Sequence, residues 1–431
     1  MTAFISAFIS FAIFVTSLFG SFITVKTPED TGEFTPVLRF FAASDSHVES
    51  MGDTQALRMQ KALKMAYAMA DSDEEYNKLD AALFAGDLTD NGREDQFLGF
   101  TVAAKSVLRE ETELLAVIAK SHDSSTLDKG VHAYFSGVTG EDTDIHKVIN
   151  GYHFIGLSVS KTEGEHYSEY QREWLDEQLA AATAEDPTKP VFVFQHEHIS
   201  NTVYGSSDFE GWGMDYFRAV LNKYPQVVNF SGHSHYPLND PRSIWQGEFT
   251  AVGTGALYYA EFTVDDVRTY HPDGNHNVVT FWVVEVDANN RIRLRGIDMN
   301  AGEVIIEYIL DNPADPANRE YTTAKQAAKS AAPVFEDDAD ITLKVRSGKY
   351  TVEVDEAKSA DGMPIVLYRA FAYSADGTLL AKTWTMPEYY IVDGEDEIVL
   401  DLGKIEGDVA KIEVVAETAY GVQSAPLTVE S

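Results

Sequence analysis

The chain has 431 residues, with 33 Lys and Arg against 69 Asp and Glu, and its formal net charge is −36 at pH 7. So acidic a surface repels phosphate backbones, which excludes duplex nucleic acid as an expected partner. The sequence has no Cys, which excludes disulfides and thiolate ligands, so a metal site would use His, Asp, Glu, Asn or hydroxyl donors. The length predicts two or three domains.

The first 25 residues contain no charged side chain and are rich in Phe, Ile, Ala and Ser. This run predicts that residues 1–26 form a signal peptide or a membrane anchor, with a buried N-terminal helix as the alternative. No Lys or Arg precedes the apolar run and no Ala-x-Ala site follows it, so cleavage stays open. We therefore expect a secreted or cell-surface protein, anchored in a membrane if the segment is retained. Residues 27–36 are typical of a polar linker.

Strands and helices alternate from residue 37 onwards, which predicts an α/β layered domain. Short apolar runs that end in Gly or polar residues indicate buried strands, and wider apolar spacing indicates amphipathic helices. The predicted strands are 37–44, 81–85, 114–119, 152–158, 190–194 and 227–231. The predicted helices are 53–70, 93–111, 168–182 and 214–224.

Side chains able to bind metal follow five of these strands. A sheet of this class delivers such groups to one edge, at the carboxyl ends of its strands. Carboxylates with neutral imidazoles suit Mn, Fe or Zn, and two such cations about 3.5–4 Å apart can share a hydroxide that attacks phosphorus in line. The candidate side chains are Asp45, His47, Asp87, Ser121, His122, His196, His233 and His235.

These segments resemble the calcineurin-like metallophosphoesterases. That family's motifs are Asp-x-His, Gly-Asp-x-x-Asp, Gly-Asn-His-Asp/Glu, a lone His after a strand, and Gly-His-x-His. Here they stand in the same order as Asp45-Ser46-His47, Gly86-Asp87-Leu88-Thr89-Asp90, Lys120-Ser121-His122-Asp123, His196 and Gly232-His233-Ser234-His235. The resemblance covers residues 37–310 and implies a four-layer α/β/β/α sandwich.

The resemblance implies two metal ions, for which Mn, Fe and Zn are the expected elements, and a role for each matched residue. The first metal would be held by Asp45, His47, Asp87 and His235, and the second by Asp87, His196 and His233. His122 matches the histidine that assists the leaving group, and Asp90 matches the carboxylate that orients it. A carboxylate beside an imidazole fixes its tautomer and raises its basicity.

One motif departs from the family, because its Gly-Asn pair is Lys120-Ser121 here. The Asn normally gives a carbonyl oxygen to the second metal. A Ser hydroxyl is shorter and a poorer neutral donor, so Ser121 is expected to make the second site the weaker one. Two interpretations of Lys120 stay open, a phosphate contact and a solvated strand end. Asp123 is expected to support its loop, and His198 is interpreted either as a group behind the ligands or as a loop residue.

The remainder of the chain is predicted to form β structure. Alternating residues predict antiparallel strands over 249–310, with a hairpin turn at Asn289-Asn290. Residues 311–334, with several prolines, predict a linker. Residues 335–431 predict a β-sandwich whose closing run, 414–427, resembles the last two strands of a fibronectin type III or immunoglobulin-like module. Such modules often bind other molecules or act as spacers between domains, so a surface partner is expected for this one.

The resulting expectation is a hydrolase acting on a small-molecule or cell-surface phosphate ester, either a phosphatase or a phosphodiesterase. The alternative is a metal-stabilised binding or adhesion protein with weak or no turnover. The pair Asp90 and His122 favours the enzyme, because a scaffold has no use for proton transfer. Aromatic residues in two predicted pocket loops, 130–144 and 204–214, would either stack on a base or sugar or pack in the core: Tyr134, Phe135, Tyr204, Phe209 and Trp212.

Overall fold

A computed structural model describes residues 23–28, 34–126, 130–162, 165–207, 213–265, 267–394 and 397–431. Most of the predicted signal peptide or anchor, residues 1–22, lies outside these ranges, as do Phe209 and Trp212. Among the described residues, no helix combines the length and apolarity needed to cross a bilayer. By contact density the described chain divides into two units, one comprising the residues up to Asn239 with Ser243–Glu320, the other Asp240–Arg242 with Tyr321–Ser431.

The first unit contains two six-stranded mixed sheets. The first sheet consists of β1 (Pro36–Ala43), β2 (Ala81–Ala85), β3 (Glu113–Val117), β14 (Thr280–Asp287), β15 (Ile292–Asp298) and β16 (Glu303–Leu310). Their spatial order is β16-β15-β14-β1-β2-β3. Strands β1, β2 and β3 run parallel, and β14 to β16 are antiparallel additions.

The second sheet consists of β4 (Ile145–Ile149), β5 (Tyr152–Gly156), β6 (Val191–Phe194), β9 (Val227–Ser231), β10 (Ile244–Gln246) and β11 (Thr250–Gly253). Their order is β10-β11-β9-β6-β5-β4, with β5, β6, β9 and β11 parallel. Two-stranded pairs join β7 (His198–Ile199) to β8 (Gly213–Met214) and β12 (Phe262–Val264) to β13 (Val267–Tyr270).

The two sheets pack face to face, with helices on both outer sides. Phe40 of β1 makes edge contacts with Phe154, Phe192 and Phe230 of the second sheet, at ring-centroid distances of 5.1, 4.8 and 5.8 Å. Helices α1 (Thr54–Asp71), α2 (Glu94–Lys105) and α3 (Val131–Thr139) pack on the first sheet, and α4 (Glu169–Glu185) and α5 (Arg218–Leu221) pack on the second. This is the predicted α/β/β/α order of layers.

Local sequence explains most of the element boundaries. Helix α1 begins after Asp53, whose side chain accepts from the Ala56 N–H, and α4 begins after Ser168, which forms a capping box with Gln171. The turn between β14 and β15 falls at the predicted Asn289-Asn290, where Asn290 has a φ of 60°. Short 3₁₀ helices occupy Pro241–Ser243, Asn275–Asn277 and Pro316–Asn318.

Four predicted elements were wrong in extent or type. The helix predicted over 214–224 is limited to α5, because Gly213–Met214 pair with β7 instead and tertiary pairing overrides propensity. The helix predicted over 93–111 ends at Lys105, where the Ser106 hydroxyl donates to the Ala103 carbonyl. The segment 130–144, read as a loop, contains α3. Strand β11, predicted as antiparallel, is antiparallel to β10 but parallel to β9.

The second unit is all β apart from helix α6 (Thr323–Lys329). One antiparallel sheet, in the order β17-β18-β21, contains β17 (Ile341–Arg346), β18 (Lys349–Val354) and β21 (Ile398–Lys404). The other, in the order β20-β19-β22-β23, contains β19 (Ile365–Tyr373), β20 (Leu379–Thr385), β22 (Lys411–Thr418) and β23 (Leu427–Glu430). Val352, Tyr368, Leu400 and Val414 belong to their shared core. The division after Glu320 falls inside the segment predicted as a linker, 311–334, and the predicted domain limits stay predictions.

Candidate metal centre

The backbone turns sharply just after the strands that carry the predicted ligands. Five of them have a positive φ: Asp45 (53°), His47 (45°), Asp87 (47°), His233 (76°) and His235 (56°). Outside Gly, this conformation is uncommon, and such strain concentrates at functional sites. In the described chain, these five make up a large share of the twelve non-Gly residues with positive φ. The fold therefore bends its main chain to aim these particular side chains.

Three predicted ligands of the first metal converge. The Nε2 atom of His235 lies 3.0 Å from Asp45 Oδ1 and 3.3 Å from His47 Nε2. The Nε2 atom of His47 lies 3.9 Å from the same carboxylate oxygen. Spacings of this size separate the donors around a single bound cation with metal–ligand distances near 2 Å.

A second set converges beside the first. The Nε2 atom of His196 lies 3.1 Å from Asp87 Oδ2 and 3.1 Å from His233 Nδ1. The same Nε2 atom is 3.9 Å from Asp45 Oδ1 of the first set. The structure thus groups Asp87 with the second set, whereas the resemblance implied that it serves both sets. It lies near the first set, because His196 Nε2 is close to both Asp87 and Asp45. Burial raises the pKa of Asp87, but the imidazoles of His196, His47 and His122 more than offset this and hold the pKa well below its ordinary value.

Hydrogen bonds behind Asp45 and His196 fix the orientation of these two side chains. One oxygen of Asp45, Oδ2, accepts from the Ser44 hydroxyl and, at 3.0 Å, from the His233 N–H. The other oxygen, Oδ1, is buried with no hydrogen-bond partner. The Nδ1 of His196 lies 2.9 Å from the Ala85 carbonyl oxygen and must donate to it, which leaves Nε2 facing Asp87 and His233. A buried oxygen without a donor, facing imidazole nitrogens, is what a cation site requires.

The four imidazoles are shifted in two directions. Burial lowers the pKa of His196 and of His235, but the neighbouring carboxylates, Asp87 and Asp45 for His196 and Asp45 for His235, more than offset this and hold both pKa values above the ordinary value, so a cation would displace a proton from each ring. His47 and His233 are shifted the opposite way. Burial lowers the pKa of His47 to about 3, although Asp87 opposes the shift. Burial likewise lowers the pKa of His233 to about 4, with His196 acting in the same direction. Both rings are therefore neutral at pH 7 and can offer a lone pair. The residues present fit a group of cations held by carboxylate and imidazole.

Two glycines in these motifs occupy positions where a larger residue would collide with a predicted ligand. A Cβ on Gly86 would lie 2.7 Å from His196 Cβ, and the φ of Gly86 is +87°. A Cβ on Gly232 would lie 2.5 Å from Asp45 Oδ2. Each glycine therefore admits a ligand from another strand, which ties the second sheet to the first at this edge.

His122 lies over the first set and reaches solvent. Its ring contacts His47 edge to face, with centroids 4.4 Å apart, and its side chain is 44% exposed. Its Nδ1 donates to the main-chain carbonyl of Asp90 at 2.7 Å, whereas the Asp90 carboxylate is 4.0 Å away and accepts from Asn91. Asp90 is thus beside His122 as expected, but it orients the ring through its backbone and not through its carboxylate.

Ser121 and Asp123 have distinct contacts. The Ser121 hydroxyl lies 2.8 and 3.0 Å from the two oxygens of Asp87, so it is directed at the second set. The fully buried Asp123 accepts from the N–H groups of Leu88, Thr89 and Ala119, and from the Thr89 hydroxyl. Asp123 therefore supports the loop, as predicted, and does not face the metal-ligand sets.

Of the two interpretations left open for His198, the structure favours the group behind the ligands, whereas Tyr258 and Tyr259 were not predicted from the sequence. His198 is fully buried between the hydroxyls of Ser231 and Ser234, each 2.8 Å from a ring nitrogen, so it lies behind the ligands. The rings of Tyr258 and Tyr259 contact the first set. Two consecutive aromatics shortly after the β11 strand end were the available signal for them. Of the aromatics that were predicted, Phe135 is fully buried in the core, Tyr134 donates to the Glu94 carbonyl and Tyr204 packs on Tyr236.

No family model matches the chain. Over 194 residues it is 28% identical to a protein of Rhodococcus erythropolis named probable cyclic nucleotide phosphodiesterase, covering 43% of this chain and 60% of that relative. The chain therefore spans under two thirds of the relative's length.

Solved structures similar to the chain include purple acid phosphatase PPD1 from yellow lupin seeds, with 15% identity, a TM-score of 0.46, and coverage of 63% of this chain and 53% of that one. GAP50, described as the anchor in the inner membrane complex of Plasmodium, shows 14% identity, a TM-score of 0.42, and coverage of 64% and 90%.

The layer order and the ligands at the strand ends define the class of protein. The first unit has the fold of a calcineurin-like metallophosphoesterase, as the motifs indicated, and an all-β unit follows it. Two groups of described residues are spaced so that each could hold a metal, Asp45, His47 and His235 in one and Asp87, His196 and His233 in the other. The resemblance implied the same residues but also gave Asp87 to the first group. A third group, His47, Asp90 and His122, meets the same spacing.

Proposed function

We propose that the chain is a metal-dependent phosphoesterase that hydrolyses a phosphate ester. The observation that carries the proposal is the meeting of two His/Asp sets beside the partly exposed His122. The relative named as a phosphodiesterase supports the reaction class. Phosphatase and phosphodiesterase activity both fall within the proposal, as do Mn, Fe or Zn as the metal.

The proposed reaction gives each of the two sets of side chains one cation to hold. Asp45, His47 and His235 would hold one cation, Asp87, His196 and His233 the other. When bound, two cations supply an acidified water and positive charge for the phosphoryl oxygens. That charge matters here because the net charge of −36 would otherwise repel an anionic substrate.

His122 would move the proton. Its Nδ1 is committed as a donor to the Asp90 carbonyl, so Nε2 is the atom that gains and gives a proton. Placed over His47 and open to solvent, Nε2 can protonate the oxygen of the departing alcohol. The backbone bond to Asp90 keeps the ring in that orientation.

Turnover of the full chain with Mn²⁺, Fe²⁺, Zn²⁺ or Co²⁺ tests the proposal, with p-nitrophenyl phosphate and bis-p-nitrophenyl phosphate as substrates. We expect hydrolysis of at least one ester. His122→Ala should then lower the rate about 10²–10⁴-fold for poor leaving groups and much less for good ones. Equal losses for all leaving groups would contradict its role as the acid. No turnover with any metal would favour the alternative, a metal-stabilised binding or adhesion protein.

We further propose that the second site is the weaker one. Ser121 donates to Asp87 where the family has an amide, so the hydroxyl competes with a cation for the carboxylate. Calorimetric Mn²⁺ titration should show two unequal affinities, and Ser121→Asn should tighten only the weaker. Two equally tight sites in the wild-type chain would contradict this.

Location and partners follow from the sequence alone. We propose a secreted or cell-surface protein, because the uncharged run at residues 1–25 suits export or anchoring. The fibronectin type III-like assignment of the second unit, and a surface partner for it, are proposals of the same kind. Fractionation of cells that express the full chain tests the location, and recovery in the cytosol alone would contradict it.

A further inference from the structure

Two adjacent tyrosines form one side of the metal centre. The ring of Tyr258 lies 5.3 Å from the ring of His47, and the ring of Tyr259 lies 4.4 Å from the ring of His235. Both tyrosines are partly exposed. Their rings lie 4.8 Å apart at an interplanar angle of 70°. They therefore form an aromatic corner, defined as Tyr258 and Tyr259, directly beside residues of the first set.

The aromatic corner is fixed in place by hydrogen bonds from Arg58 and by ring contacts with His276. Arg58, on helix α1, donates to the Tyr258 carbonyl at 2.5 Å and to the His276 carbonyl at 2.9 Å. The ring of His276 lies 5.3 Å from each tyrosine ring. One guanidinium thus joins the segment that follows β11 to the 3₁₀ helix that precedes β14. A corner fixed in this way loses little freedom when a ligand binds to it.

The corner is also close to the proposed proton donor. The ring of His47 contacts the rings of both His122 and Tyr258, at centroid distances of 4.4 and 5.3 Å. His122 and Tyr258 are therefore neighbours of the same imidazole, and a departing group as large as an aromatic ring can meet both. The tyrosine faces are apolar and flat, which suits another flat ring in offset or edge-to-face contact.

Resting on the proposed function, we infer that Tyr258 and Tyr259 are specificity-determining residues that bind a flat aromatic ring in the esterifying group of the substrate. The substrate class is then an aryl or nucleoside phosphate ester in preference to an alkyl ester. Arg58 is a positioning residue for this corner. The ring has two chemical sources, a phenol or a nucleobase, and the corner would accept the ring in either.

Binding of stable phosphonates tests the inference without any turnover. Calorimetry on the Mn²⁺-loaded full chain compares methylphosphonate, phenylphosphonate and the 5′-phosphonate of adenosine. Phenylphosphonate should bind about three- to tenfold more tightly than methylphosphonate. A larger gain for the adenosine compound than for phenylphosphonate would identify a nucleobase as the ring, and the reverse would identify a phenol.

Variants assign the preference to the corner. Tyr258→Leu and Tyr259→Leu should bring the phenyl-to-methyl ratio towards one while methylphosphonate affinity is kept, which also reports that the variant is folded. Tyr258→Phe should retain the ratio. Arg58→Gln should lower it to a smaller extent. Tyr170→Leu, at a residue 72% exposed on α4, is the control that should change nothing.

The failure of this inference differs from the failure of the proposed function. Equal binding of phenyl- and methylphosphonate by the wild type, a ratio that survives in both Leu variants, or no phosphonate binding at all would overturn the aromatic corner even if esters are hydrolysed. A tyrosine-dependent phenyl preference would support it even if no ester is turned over.

Discussion

Two buried polar clusters lie along strand β1, and they differ in the groups that their carboxylates face. One, the arginine–glutamate cluster, contains Arg39, Glu285, Arg293 and Arg295. The other, the metal centre, begins two residues past the end of the same strand, at Asp45. Both contain carboxylates that are almost wholly buried, so both take charge out of water.

In the arginine–glutamate cluster the charges meet each other. Glu285 faces Arg39 across one strand pair and Arg293 across the next. Its Oε1 accepts from Arg39 at 2.7 Å and from Arg295 at 2.7 Å, and its Oε2 accepts from Arg293 at 2.6 Å. Both oxygens of this carboxylate are therefore satisfied within the protein.

In the metal centre the carboxylates meet imidazoles instead of guanidinium groups. Asp45 Oδ1, His47 Nδ1 and His235 Nδ1 are buried without a hydrogen bond. Positive φ angles add to the cost of this arrangement. Unsatisfied atoms alone do not separate the two clusters, because Arg295 Nε is also buried without a hydrogen bond. The difference lies in what the buried carboxylates face, which is guanidinium groups in one cluster and imidazoles able to bind a cation in the other.

The largest expected effect comes from breaking the satisfied cluster. Glu285→Gln leaves buried guanidinium groups without their countercharge and should lower the free energy of unfolding by about 3–5 kcal/mol. Chemical denaturation with and without Mn²⁺ measures it, and the loss should be similar in both. Glu173→Gln, on the exposed side of α4, is the control and should stay within about 0.5 kcal/mol. A loss under 1 kcal/mol for Glu285→Gln would contradict the role given to this cluster.

A smaller effect is expected where the metal centre stores strain. Gly86→Ala adds a Cβ 2.7 Å from His196 at a φ of +87° and should cost about 1–3 kcal/mol of stability. Gly140→Ala is a matched control, since its φ is +79° and a Cβ there meets nothing within 4 Å. Gly140→Ala should cost only the conformational part, about 1 kcal/mol. Equal losses in the two variants would show that contact with His196 is not constraining.

The smallest effect is a pH dependence of the arginine–glutamate cluster. Burial raises the pKa of Glu285, but Arg295, Arg39 and Arg293 more than offset this and hold it below its ordinary value of 4.5. Because the folded-state pKa is depressed, the stabilisation is present above pH 4.5 and is lost as the pH falls through the folded-state pKa. The stability gap between wild type and Glu285→Gln should therefore narrow on acidification below that pH. Denaturation of the metal-free proteins from pH 3 to 7 measures the gap, and widening would contradict the account.

The sequence was sufficient to predict which His and Asp side chains the structure brings together, but not their surroundings. Each ligand follows an apolar strand in a short motif, so Asp45, Asp87 and His196 were identifiable from local pattern. Tyr258 and Tyr259 were not, because their position depends on β11 pairing parallel to β9 across the fold. That Asp90 holds His122 through its carbonyl depends on side-chain rotation, which spacing does not encode.

The arginine–glutamate cluster could not be predicted from the sequence either. Arg39 lies 246 residues from Glu285, and only strand register makes them neighbours. Some predicted element boundaries were wrong for a related reason. At Gly213–Met214, pairing with strand β7 replaces the start of the expected helix. Local sequence patterns predicted whether a segment forms a helix or a strand. Pairing with segments distant in the sequence determined which residues that segment contacts.

Metal binding to the metal-free full chain tests the central claim most directly. Calorimetric titration with Mn²⁺, followed by metal analysis of the dialysed protein, should find two ions per chain in the wild type and in Glu173→Gln. Asp87→Asn should lose at least one of them, because Asp87 belongs to the second set and lies near the first. No bound metal in the wild type, or two ions still bound in Asp87→Asn with unchanged affinity, would contradict the account.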